Sequence, residues 1–177
     1  MKCPACSSKR TSQISRTENL LATQCDNCQG VWIPHKNYEA WQKTFEEPLP
    51  EKSFTEVDLE IEDRPGAKVC PQCGKILLKF KVGHGLDFFV DTCSACGGIW
   101  LDKHEWNALE AKNLHDEIHR IFSTSWQKQI REDRLEETME KVFRNRFGSE
   151  TFQKVSEIKD WLNDQPNKDE LMAFLNE

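Results

Sequence analysis

The chain has 177 residues, 31% of them charged and 37% hydrophobic, and a formal net charge of −6. That length suits one or two small domains. No apolar run approaches the roughly 20 residues of a membrane span, so no membrane insertion is expected. The acidity weighs against a broad, nonspecific grip on nucleic acid.

The N-terminus, Met1-Lys2-Cys3-Pro4, shows no apolar segment of the kind a secretory signal carries, so a reducing, cytoplasmic setting is expected. All 8 cysteines fall in Cys-x-x-Cys pairs before residue 97. In a reducing compartment such pairs point to metal binding rather than to disulfides.

The pairs belong to an internal repeat. Cys3-Pro4-Ala5-Cys6 is followed after 18 residues by Cys25-Asp26-Asn27-Cys28-Gln29-Gly30-Val31-Trp32. Cys70-Pro71-Gln72-Cys73 is followed after 19 residues by Cys93-Ser94-Ala95-Cys96-Gly97-Gly98-Ile99-Trp100. Tyr38 and Trp106 each lie six residues beyond their tryptophan.

In the first copy (residues 1–43), strands are expected around Thr11–Thr17 and Asn19–Gln24. The second copy (residues 70–110) has stronger β-prone runs at Ile76–Val82 and Leu86–Thr92, turning at Gly83-His84-Gly85, with His84 expected at the exposed tip. Val31–Ile33 and Ile99–Leu101 read as short third strands. Residues 44–69 form a linker with eight acids, three bases and three prolines. Strict alternation from Glu56 to Glu62 predicts an extended strand lying on a ribbon, or else an acidic binding strip.

From Lys103 the apolar period becomes helical: Trp106, Leu109, Leu114, Ile118, Ile121, Phe122, Trp126 and Ile130, then Leu135, Met139, Val142, Phe143 and Phe147. Gly148 is a stop and Ser149 the expected N-cap of a further helix using Phe152, Val155, Ile158 and Leu162. Asn163–Asn167 reads as a turn before a last short helix with Leu171, Phe174 and Leu175. The expected fold class is α+β: two small four-cysteine zinc ribbons of three strands each, joined by the acidic linker and followed by an all-helical region over residues 111–177.

Zinc prefers a tetrahedron of soft ligands. Each Cys-x-x-Cys turn aims two sulfurs at one point, and a hairpin brings the second pair opposite the first. The ligand sets are therefore Cys3, Cys6, Cys25 and Cys28, and Cys70, Cys73, Cys93 and Cys96. Proline fixes one backbone angle in the first turn. Gly30 and Gly98 are expected to let the chain turn after the last ligand. Trp32 and Trp100 are expected to cover one side of their own sites. Two structural Zn2+ per chain are expected, with iron as the alternative occupant. Four protein ligands leave no open coordination position, so no catalytic role is expected of either metal. A ribbon of about 40 residues lies near the limit for a metal-free core, which would make folding metal-dependent.

These residues resemble the transcription factor IIB-type zinc-ribbon family of small bacterial proteins. Its pattern continues past the fourth cysteine as Gly-Gly-x-Trp-Leu-Asp and then an acidic residue. The second copy matches through Gly97-Gly98-Ile99-Trp100-Leu101-Asp102 and Glu105. The first departs with Gln29, Pro34 and Asn37. The resemblance covers about 80 residues and implies transcription only by analogy of fold.

His115 and His119, four apart on a predicted helix, are candidates for a shared third metal or are simply neighbouring surface residues. His104-Glu105 lacks the second histidine of a metalloprotease motif. Lys2, Lys9, Arg10 and Arg16 give the first ribbon a local positive excess, a candidate phosphate contact. Trp106, Trp126 and Trp161 are expected in the core. The leading function is a non-enzymatic interaction or adaptor module with a protein partner bound through the ribbons or the tail. The alternatives are a nucleic-acid-binding, transcription-associated ribbon protein and a thiol-redox or chaperone-like protein.

Overall fold

The computed structural model describes residues 1–52 and 61–175. They divide into two compact units, Met1–Ile130 and Arg131–Glu177. The alternating segment of the linker lies largely outside the described residues.

In the first unit, β1 (Thr11–Arg16), β2 (Leu20–Cys25) and β3 (Val31–Ile33) form the first ribbon, followed by α1 (His35–Gln42). In the second ribbon, β4 (Leu78–Gly83), β5 (Leu86–Thr92) and β6 (Ile99–Leu101) are followed by α2 (Glu105–Ala111). The ribbons are not separate modules on a string. They join in one 6-stranded sheet of order β1-β2-β3-β6-β5-β4. The order reads the same repeat outward from both sides of the β3–β6 pair, a pseudo-dyad. At that seam Val31 pairs with Leu101, Trp32 with Trp100 and Ile33 with Ile99, all antiparallel.

Successive side chains point to opposite faces of the sheet, and at the seam both faces are buried, since every residue of β3 and β6 is buried. Leu20 and Ala22 of β2, Val31 and Ile33 of β3, Phe88 and Val90 of β5, and Ile99 and Leu101 of β6 supply one apolar layer. Tyr38 and Trp41 of α1 and Trp106 and Leu109 of α2 belong to the same core. A fully buried side chain of this kind stabilises by roughly 1.5–3 kcal/mol. The shared layer therefore gives the two ribbons a common apolar core, which corrects the expectation of coreless hairpins.

The helical periodicity after Lys103 is not one helix. It breaks into α2, α3 (Ile118–Ile121) and the start of α4 (Thr124–Phe147). Asn113 sits at φ 55°, in the left-handed region, where the chain reverses. Leu114, Ile118 and Ile121 all belong to the core, and a straight continuation would carry them away from the sheet. The Tyr38 hydroxyl fixes this return: it donates to the His115 carbonyl at 2.9 Å and accepts from the Ile118 N–H at 2.9 Å. The linker is tied to the same loop, with the Leu49 N–H on Asp116 at 2.7 Å and the Asn113 amide on the Pro50 carbonyl at 2.9 Å.

The second unit holds the rest of α4, then α5 (Ser149–Asn163) and α6 (Lys168–Leu175). Gly148, at φ 82°, takes the cap position itself, so Ser149 is the first helical residue rather than the cap. Leu162 is the only buried side chain among the described residues of this unit. Trp161, expected in the core, is 55% exposed. No helix of the described residues is long and apolar enough to cross a membrane.

Candidate metal centres

Each cysteine cluster is built from two copies of one turn. In all four, the N–H of the residue after the second cysteine donates to the carbonyl of the first: Ser7 to Cys3 at 3.0 Å, Gln29 to Cys25 at 2.8 Å, Gly74 to Cys70 at 3.0 Å and Gly97 to Cys93 at 2.8 Å. Those four residues all have positive φ, between 59° and 74°. The backbone demand for glycine therefore falls at positions 7, 29, 74 and 97, not at Gly30 and Gly98. The second ribbon meets it with glycine twice, and the first accepts Ser7 and Gln29 in a conformation that costs an L-residue about 1–2 kcal/mol.

Gly30 and Gly98 are small for another reason. A Cβ on Gly30 would lie 2.2 Å from Cζ2 of Trp100, and a Cβ on Gly98 would lie 2.2 Å from Cζ2 of Trp32. Each indole thus lies across the seam on the glycine of the other ribbon, rather than serving its own site alone. The two tryptophans and cysteines of both clusters form one buried group with Leu77.

Within the clusters, Sγ–Sγ distances are 3.5 Å for Cys3–Cys28, 3.6 Å for Cys6–Cys25, 3.6 Å for Cys70–Cys96 and 3.3 Å for Cys73–Cys93. These are far beyond a disulfide bond, and all eight cysteines are free. A zinc tetrathiolate with bonds of about 2.3 Å has sulfurs about 3.8 Å apart. The four ligand atoms of each set lie within 4.8 Å of one another. Backbone N–H groups also aim at the sulfurs: Cys6 on Cys3 at 3.5 Å, and Gln72 and Cys73 on Cys70 at 3.4 Å. Such donors favour the thiolate form that zinc requires. Without a cation, burial pushes the Cys3 thiol up to about 11. Four sulfurs this close do not all ionise unless a dication offsets them. The donor set, spacing and backbone bonds fit two structural zinc ions.

A family model described as a transcription factor zinc-finger, the TFIIB-type zinc ribbon, matches residues 2–44 and again residues 69–112. The chain carries two TFIIB-type zinc ribbons in tandem. Comparisons with curated proteins and with solved structures gave no match. The tandem ribbons meet in the seam described above, so the sites they build share one buried group.

The acidic residues of the second ribbon's motif form a buried charge network that the sequence did not reveal. Lys68 Nζ donates to Asp91 Oδ2 at 2.6 Å and to Asp102 Oδ2 at 2.8 Å, with all three groups buried. Asp102 also accepts from the Arg64 N–H and, through Oδ1, from the Trp100 indole N–H, both at 2.9 Å. It therefore anchors the ring that covers Gly30. The Asp102 N–H donates to Glu105 Oε2 at 2.7 Å. Burial disfavours charge on Lys68, but Asp102 and Asp91 outweigh it and raise its pKa above the ordinary lysine range. Burial, then the Asp102 charge, pushes Glu105 up to about 9. Asp63, Asp102 and Glu105 bring ligand oxygens within 4.8 Å of one another. The Lys68 ammonium already supplies a cation there. In the first ribbon the counterparts of Lys68, Asp91, Asp102 and Glu105 are Met1, Thr23, Pro34 and Asn37. All four members change together, and aligning the copies position by position carries that signal.

The histidines do not converge. His115 is buried at 5.7 Å from the Trp41 ring and 5.6 Å from Trp106, while His119 Nδ1 meets the Gln42 amide at 3.1 Å. No cluster of three ligands among the described residues includes either. His84 is exposed in the turn as expected, while its ring stacks on Trp126 at 4.2 Å and 11° and its Nδ1 lies 2.7 Å from Glu51.

Proposed function

We propose that the chain is a non-enzymatic protein-interaction module. Two zinc-braced ribbons form one rigid platform, and the second unit presents an apolar docking face to a protein partner. The observation that carries this is the groove of about 390 Å³ between α4 and α5, lined by Met139, Phe143, Phe147, Phe152 and Val155. Apolar side chains concentrated on a surface mark contact sites. The metal clusters support the absence of catalysis, since cysteines take all four positions and leave none for water or substrate. Reduced thiols suit a cytoplasmic setting. Regulation or assembly of a larger complex is the use such a module serves.

The test is affinity purification on the zinc-loaded full chain, with and without nuclease, beside a Phe143→Glu variant. Protein retained after nuclease and lost in the variant is the expected result. Retention that vanishes with nuclease, and that falls steeply with salt, would instead support nucleic-acid binding.

A further inference from the structure

We infer that the occupant of the α4–α5 groove is a second copy of this chain, so that two helical units pair into a four-helix core. The inference rests on the interaction reading above and names its partner. Three observations lead to it.

The first is the lack of an internal core. Ordering a residue costs roughly 1–2 kcal/mol in backbone entropy, yet Leu162 is the only buried side chain among the described residues of 131–175. Two such hairpins placed face to face supply the missing layer, the usual arrangement of a four-helix bundle.

The second is the exposed apolar face. Among the described residues, 11 large apolar side chains of this unit are between 39% and 73% exposed. Met139, Phe143, Phe147 and Val155 line the groove itself together with Phe152, and exposed apolar side chains gathered in this way mark contact surfaces. On α4 they run as a stripe four residues apart, at Leu135, Met139, Phe143 and Phe147.

The third is charge, and it selects a copy of this chain over another partner. Residues 131–140 hold five acids and two bases, a net of −3, while residues 141–147 hold three bases and no acid, a net of +3. An antiparallel pair of α4 helices related by a two-fold axis sets each −3 half against a +3 half, twice. Such self-complementarity is what an isologous interface requires. A parallel pair would set like against like.

Sedimentation velocity of the zinc-loaded full chain over about 1–100 µM tests this, because a dimer's population follows concentration. The wild type is expected to shift from monomer to dimer. Met139→Glu with Phe143→Glu is expected to remain monomeric, with zinc content unchanged. Two charge variants follow. Changing Glu136, Glu137 and Glu140 to Lys takes residues 131–140 from −3 to +3, so both halves are net basic, and changing Lys141, Arg144 and Arg146 to Glu takes residues 141–147 from +3 to −3, so both halves are net acidic. Each alone is expected to be monomeric, and the mixture to form a one-to-one heterodimer. A wild type that stays monomeric, a dimer indifferent to the Met139 and Phe143 changes, or a mixture that fails to pair would overturn the inference. A monomer that still retains another protein through this face would sink the self-pairing while leaving the interaction reading intact. A monomer that retains nothing would remove both.

Discussion

A single added carbon at the seam strikes a ring that has nowhere to go. The Cβ of Gly30→Ala would lie 2.2 Å from Trp100, whose indole N–H is itself held by Asp102. Overpacking of this kind costs about 1–3 kcal/mol. The reciprocal change, Gly98→Ala, faces Trp32 and is expected to cost as much. Gln29→Gly should do the opposite and stabilise by about 1 kcal/mol, because it relieves a left-handed conformation without opening a cavity at the seam. Urea midpoints of the zinc-loaded variants check both, and a Gly30→Ala chain as stable as the wild type would remove the indole lock. The eight ligands were legible from spacing alone, because ligand geometry is local to each turn. The glycine roles were not, because what forbids a side chain at position 30 belongs to residue 100.

Glu105 gives a second test at this scale. Its carboxyl faces Asp102, Asp63 and Lys68, and its pKa rises from 4.5 to about 9. The folded state thus holds a proton that the unfolded chain releases above about pH 4.5. Stability linked to that proton is complete below this value and is lost as pH climbs toward 9. Glu105→Gln keeps an acceptor for the Asp102 N–H and has no proton to lose. Between pH 6 and 9 the wild type is expected to weaken relative to the Gln variant, as read from denaturation midpoints at fixed zinc. Parallel pH profiles would show that Glu105 is ionised in the fold.

At the level of elements, the hairpins, the third strands and the last two helices were readable, because each carries its own period or its own punctuation. The six-stranded sheet was not. β3 and β6 have three residues each, and such short strands hold no pattern to say which neighbour they choose. The broken run after Lys103 was obscured for a related reason. Leu114, Ile118 and Ile121 fit a helical stripe, while their destination is a sheet far back in the chain. The seam has a thermodynamic consequence. Cysteines of both clusters and both tryptophans lie in one buried group, which predicts that the two zinc sites are coupled through Trp32 and Trp100. Cys93→Ser, which cripples the second site, is expected to accelerate chelator-driven zinc loss from the first by several-fold, followed by a colorimetric zinc indicator. Equal release rates in wild type and variant would make the ribbons independent despite their shared sheet.

For the whole molecule, the two units answer to different variables. The first has a continuous apolar layer and two four-cysteine clusters, so its opening is expected to respond to zinc. Among its described residues the second has neither, and the self-pairing inferred above predicts that its order depends on association. Zinc binding adds charge as well: two tetrathiolate sites carry about −4 in total and take the chain to about −10, which opposes a phosphate contact by Lys2, Lys9, Arg10 and Arg16. Hydrogen exchange followed by mass spectrometry separates the two dependences, since amide protection reports local opening. Chelation is expected to lower protection in β1–β6 and α1–α3 and leave peptides from residues 135–175 unchanged. Dilution should do the reverse, lowering protection over residues 135–175 while the sheet keeps its own. If chelation and dilution both deprotected the same peptides, the chain would unfold as one cooperative body, and the helices would draw their order from the zinc-braced sheet rather than from a partner.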